Sequence, residues 1–220
     1  MQSSLVGGLL DLLAPSRCPG CGLDWHGSDA SQRFCDACAP LIELAPPSMR
    51  PPASPAAAVL YQGPVADAIR RFKYARATDL AGALGELLVR ASQPLGGNVD
   101  VVLPVPLHPT KLRSRGFNPA LLLARPVARS LGVPLRAAWL KRCRATRTQA
   151  GLDADARRIN LRGAFVARRE PACRVLLIDD VWTTYATLEA ASQALRCVGH
   201  DVTTLALAWA EGPASIPTSV

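Results

Sequence analysis

The sequence predicts an α/β fold, a parallel sheet covered by helices, with a small cysteine-rich module ahead of it. Three observations predict this. From residue 57 onward, continuous apolar runs such as VDVVLPVP and CRVLLID alternate with helical patterns, the order that builds parallel sheets buried on both faces. Four of the seven cysteines fall together as C-x2-C-x13-C-x2-C, a spacing suited to one metal ion. Apolar residues make up 49% of the 220, with mean hydropathy +0.14, which allows a sizeable core and argues against wholesale disorder.

The elements follow in order. Leu5 to Leu13 reads as a short amphipathic helix; the opening lacks a basic n-region and a small-residue cleavage site, so it is not a secretion signal. No apolar run reaches the ~18 residues of a membrane span, and the expected location is the cytoplasm. Residues 1–43 hold this helix and the cysteine module. Residues 44–56, with Pro46, Pro47, Pro51, Pro52 and Pro55, read as a semi-rigid linker. Residues 57–211 form the α/β domain, and 212–220 a loose tail. Within the domain, 57–62 is a strand, and 64–75 and 79–92 are helices, the second capped by Asp79. VDVVLPVP is a strand stopped by Pro104 and Pro106. Asn118 to Leu131 is a helix that Pro126 should kink or break, at roughly 3 kcal/mol if unrelieved. VPLRAAWL, LRGAFVA, CRVLLID and DVTTLALAWA are strands, and Ala186 to Cys197 is a helix. Residues 141–160 are basic and polar, and read as a mobile loop leading into a short helix. There is no internal repeat.

Cys18-Pro-Gly-Cys21 and Cys35-Asp-Ala-Cys38 each direct two thiolates at one point, the pattern of tetrahedral structural zinc. Gly20 and Gly22 let the turn backbone approach the sulfurs. Four cysteines close the shell, so the module holds shape or a partner and does no chemistry. His26 reads as a surface residue beside it. Cys143, Cys173 and Cys197, far apart in apolar surroundings, read as reduced core thiols. Charge is uneven. Residues 1–60 carry 3 basic and 5 acidic side chains, whereas residues 111–169 carry 15 Lys+Arg against Asp153 and Asp155. That concentration points to an anion-binding surface, with phosphates, pyrophosphate and nucleic acid as candidates.

The segment Arg174 to Leu188 carries the most chemistry. A buried strand ends in Asp179-Asp180, a hydroxyl-rich turn holds Thr183 and Thr184, and a helix follows with Thr187 in its first turn. Ligands of parallel sheets bind outside the strand carboxyl ends, and a helix start offers N–H groups to phosphate. Adjacent carboxylates can accept hydrogen bonds from a vicinal diol, so one segment could hold both ends of a ribose 5-phosphate. The competing reading is an Asp-Asp turn with threonine helix caps. Trp182 reads as core packing and His200 as surface. His108, in a turn, is an anion contact or a turn residue before it is a proton shuttle. Neither G-x-x-x-x-G-K-[ST] nor G-x-S-x-G occurs.

This segment resembles the phosphoribosyl-diphosphate (PRPP) motif of type I phosphoribosyltransferases, D-D-x-x-T-T-G-x-T after an apolar strand. Further pieces resemble the ComF family, phosphoribosyltransferase-like proteins linked to natural competence and DNA uptake. They are CPGCG, Phe72-Lys73-Tyr74, Pro104-Val-Pro-Leu-His108-Pro, Arg115-Gly-Phe-Asn118, Thr148-Gln149-Ala-Gly-Leu152 and Arg158-Ile-Asn160-Leu-Arg162-Gly163-Ala-Phe165. The resemblance spans roughly residues 17–209. It implies that Asp179 and Asp180 hold the ribose hydroxyls and that Thr183, Thr184, Tyr185, Ala186 and Thr187 cradle the 5-phosphate. It also implies that His108, Lys111 and Arg115 face the pyrophosphate, with Mg2+ accompanying PRPP, and that 141–160 closes over the substrate. The family turn has glycine where this chain has Tyr185. A left-handed tyrosine costs on the order of 1–2 kcal/mol, and its ring could enter the phosphate site. Weak binding, a rearranged loop and an altered residue in a competent site all stay open, so the resemblance implies PRPP binding more firmly than catalysis. Three functions follow from it: phosphoribosyl transfer to an unidentified acceptor, a PRPP-sensing protein whose basic face holds single-stranded DNA, and a scaffold docking a competence helicase.

Overall fold

Apolar runs without alternation need cover on both faces, and the sheet has it. A computed structural model describes residues 17–25, 33–51, 54–144, 161 and 163–210. Strands β1 (Ala56–Leu60), β2 (Val101–Pro104), β5 (Arg174–Trp182) and β6 (Asp201–Trp209) form a parallel sheet in the order β1-β6-β5-β2. Leu176 and Ile178 of β5 pack with Ile69, Leu84, Leu88 and Leu123 of helices α1 (Gly63–Tyr74), α2 (Ala81–Ser92) and α4 (Pro119–Leu131). Val175 and Leu177 face the other way, onto Leu188, Ala191 and Leu195 of α5 (Ala186–Arg196). A two-stranded antiparallel ribbon, β3 (Leu140–Arg142) with β4 (Phe165–Ala167), flanks that second face.

Several expectations are corrected. The proline-rich stretch does not begin as a free spacer: residues 43–45 run along the edge of β1, with Ala45 N–H bonded to Ala58 O at 3.1 Å and Leu60 N–H to Glu43 O at 2.8 Å. Asp79 makes no cap; Thr78–Leu80 is a 3-10 turn running into α2. VPLRAAWL is not a strand. Only Leu135 bridges β2, through Val102, before a 3-10 turn at Ala137–Trp139. Between β2 and α4 lies a helix the sequence did not announce, α3 (Pro109–Arg115). Pro126 sits inside an unbroken α4, where an added Cβ at Gly85 of α2 would meet its Cγ at 2.6 Å. The missing side chain makes room for the ring.

His200 is buried at 4% exposure, stacked on Trp139 with its Nδ1 3.4 Å from Cys173 Sγ. Cys143 and Cys197 are exposed and Cys173 half-buried, so none is a core thiol, though all are free. No helix among the described residues is long and apolar enough to cross a membrane. The Leu5–Leu13 helix, His26, the 141–160 loop beyond Arg144, with its Thr148–Leu152 and Arg158–Asn160 pieces, and the tail lie outside the described residues.

Candidate functional site

Because all four strands run parallel, their carboxyl ends share one edge, and the motif fragments assemble there. Gly116 takes the left-handed conformation that ends α3, at φ +86°. This turn sends Arg115 and Phe117 toward α1. The Arg115 guanidinium lies over the Tyr74 ring at 5.3 Å from its centroid, and Phe117 meets Phe72 at 5.4 Å. Asn118 caps α4 by accepting from Ala120 N–H, and its Nδ2 donates to Val105 O at 3.0 Å, tying the helix to the end of β2. Between these anchored rings, Lys73 Nζ reaches Asp180 Oδ1 at 2.9 Å, the two side chains only 15% and 14% exposed.

Asp179 and Asp180 lie within β5, which continues to Trp182. Asp179 Oδ1 accepts from Asp180 N–H at 2.8 Å, and Asp180 Oδ1 from Val181 N–H at 2.6 Å. No donor among the described residues bonds either Oδ2. Burial and the Asp180 charge push Asp179 up to about 7, against the pull of Lys73 and Arg142. Arg142 lies over Phe165 at 5.4 Å; burial lowers its pKa, while the Asp179 charge raises it. Lys111 is exposed as a residue, yet burial of its ammonium and the Arg115 charge lower its pKa, with Asp180 acting in the opposite sense. A set of cations thus surrounds two acids.

The turn after β5 takes a left-handed backbone at a residue other than glycine. Tyr185 adopts φ +58°, ψ −16° and begins α5, with its ring edge-on to Trp182 at 5.5 Å. Trp182 is itself buried against Trp209. The tyrosine therefore carries the strain of that conformation. The threonines are not helix caps: no side chain caps α5, and neither Thr187 nor Leu188 N–H finds a backbone acceptor among the described residues. The hollow bounded by Asp179, Thr183, Thr184, Tyr185 and Thr187 measures about 20 Å³, the room of one water.

Of the three residues expected at the pyrophosphate, Lys111 feels the Asp180 charge, and Arg115 is engaged with Tyr74. His108 is a helix cap: its Nδ1 accepts from Thr110 N–H at 3.3 Å. Sequence assigns Lys73 no role, and Arg142 only that of the 141–160 stretch expected to close over the substrate. Lys73 stood inside the Phe72-Lys73-Tyr74 piece, the one signal that could have flagged it.

The cysteine centre is built on two turns. The sulfurs of Cys18, Cys21, Cys35 and Cys38 lie within 4.8 Å of one another, and Cys21 and Cys35 are 3.8 Å apart. A tetrahedron with metal–sulfur bonds of about 2.3 Å has edges of about 3.8 Å, so the four could hold one metal ion. Any side chain at Gly20 would meet Cys38 Sγ at 2.8 Å, and Gly22 sits at φ +77°. Burial raises the Cys18 thiol, but N–H groups of Cys35, Cys21 and Gly20 outweigh it and hold it near 6. Burial and the neighbouring thiols push Cys38 up to about 12. Four sulfurs so crowded need a cation to be thiolates together. Arg71 of α1 donates to Pro19 O and, at 2.8 Å, to Gly20 O, so the helix carrying Lys73 also grips the knuckle.

Among solved structures, the chain resembles glutamine PRPP amidotransferase from B. subtilis (21% identity, TM-score 0.43, 63% of this chain and 30% of that one). It also resembles adenine phosphoribosyl transferase from Trypanosoma brucei (14% identity, TM-score 0.40, 82% and 84%). No family model matches the sequence. Competence protein F of Haemophilus influenzae is 36% identical over 150 residues, 64% of this chain and 66% of that protein, just under two thirds of its length. DNA utilization protein YhgH of Escherichia coli (strain K12) is 32% identical over 184 residues, 81% of this chain and 77% of that protein. The chain belongs to the ComF family of competence and DNA-utilization proteins.

Proposed function

We propose that this protein binds PRPP at the carboxyl end of β5 and serves in DNA uptake. The observation that carries the reading is the set of unengaged polar groups at that corner. One oxygen of each of Asp179 and Asp180, the N–H groups of Thr187 and Leu188, and the threonine hydroxyls lack protein partners among the described residues. Acceptors at one end and donors at the other match a ribose diol and a 5-phosphate. Lys111 and the surrounding cations suit the pyrophosphate, with Mg2+ bound to it. The relatives named for competence and DNA utilization support the cellular setting. The tetrahedral spacing of the sulfurs supports a structural zinc ion at Cys18, Cys21, Cys35 and Cys38, with no position left for catalysis.

Binding is the activity proposed, and phosphoribosyl transfer is not, because a strained Tyr185 stands where the family motif has glycine. The test is calorimetric titration of PRPP with Mg2+ into the full chain. One-to-one binding in the micromolar range supports the reading, and absence of heat at millimolar ligand ends it. The basic balance of residues 111–169 favours a second ligand, single-stranded DNA, whose affinity would fall steeply with salt. A docked helicase remains the proposal for the cysteine module.

A further inference from the structure

We propose that Lys73 is a positioning residue for sugar recognition, holding Asp180 by one carboxylate oxygen so that the other meets a ribose hydroxyl. The inference rests on the PRPP reading and names how that site tells a phosphosugar from a bare phosphate. Lys73 and Asp180 come from elements more than 100 residues apart and are both mostly buried. A buried pair contributes little stability over apolar side chains of similar volume, because desolvating two charges offsets most of their attraction. Stability is therefore a poor reason to put one at the end of the ligand-binding strand.

The placement of Lys73 is fixed from both sides. Phe72 is wholly buried against Phe117, and Tyr74 lies under Arg115, so the last turn of α1 cannot roll. At the acid, Asp180 Oδ1 takes both the Lys73 ammonium and Val181 N–H. Two donors on one oxygen fix the carboxylate plane and leave Oδ2 for an incoming hydroxyl. The Lys73 charge also opposes the burial and repulsion that push Asp179 up.

The experiment compares ribose 5-phosphate with methyl phosphate, titrated by NMR into the full-length wild type, K73M and K73R. Wild type should prefer the sugar phosphate. In K73M that preference should fall on the order of tenfold, the scale of one charge-assisted hydrogen bond, with methyl phosphate affinity unchanged. K73R should restore most of it. If both ligands weaken equally in K73M, Lys73 is an anion contact and the inference is overturned; unchanged affinities overturn it too. If wild type binds neither ligand, the PRPP reading itself falls. Should K73M lose its cooperative thermal transition, K73Q enters the same titrations and is judged by the same ratio.

Discussion

Replacing Tyr185 by glycine separates backbone strain from ring obstruction. Tyr185 holds φ +58° at the start of α5, a conformation that costs an L-residue about 1–2 kcal/mol and glycine almost nothing. Against that relief stand the edge-on contact with Trp182, worth about 0.5–1.5 kcal/mol, and the greater freedom of glycine in the unfolded chain, about 0.4–1 kcal/mol. The terms nearly cancel, so Y185G should unfold within about 1 kcal/mol of wild type. Y185A keeps the strain and loses the ring, and should be less stable by about 1 kcal/mol. Since the ring packs on Trp182, PRPP affinity should change less than tenfold in Y185G, or under about 1.4 kcal/mol. Calorimetric titration with PRPP and Mg2+, alongside urea unfolding of each variant, measures both quantities. Binding by Y185G alone, or a gain of a hundredfold, would refute this reasoning and identify the ring as a plug.

Other predictions follow the same geometry. Asp179 sits at about 7 in the fold against an ordinary 3.8, so between roughly pH 4 and 7 the native chain binds more protons than the unfolded one. Stability therefore falls as pH rises through that window. D179N should be stabilised relative to wild type by up to a few kcal/mol at pH 8 and hardly at all at pH 4, seen as diverging thermal midpoints; parallel curves would contradict this. H108A should lose about 1 kcal/mol of stability from its helix cap while PRPP affinity stays within severalfold; a hundredfold loss would return His108 to the ligand. G85A drives a Cβ to 2.6 Å from Pro126 and should cost about 1–3 kcal/mol in urea unfolding. Stripping the metal with a strong chelator, or C38S, should lower the thermal midpoint by several degrees. It should also weaken PRPP binding through Arg71 and α1, and metal analysis by mass spectrometry should find one zinc per wild-type chain.

What the sequence revealed and what it hid have physical causes. The sheet was legible because doubly covered strands are continuous apolar runs, so β2, β5 and β6 stood out. The cysteine quartet and the Asp179–Thr187 corner were legible because their chemistry needs particular residues at short spacing. VPLRAAWL misled because its apolar run pairs only at its ends, Leu135 with β2 and Leu140 with β4, more than twenty positions away. His200 looked exposed after its glycine turn, but Trp139 and Cys173, both distant in sequence, pack against it. Lys73 looked like an ordinary cation at a helix carboxyl end, where it suits the dipole. Its partner, Asp180, appears only once α1 is laid over the strand ends.

The central claim is that one turn receives PRPP, and amide hydrogen exchange tests it where it stands. With PRPP and Mg2+ present, peptides covering residues 179–188 should exchange more slowly, as the ligand occupies the N–H groups at the start of α5 and the acids of β5. Unchanged exchange across 179–188 at saturating PRPP, or protection confined to another part of the chain, would contradict the account.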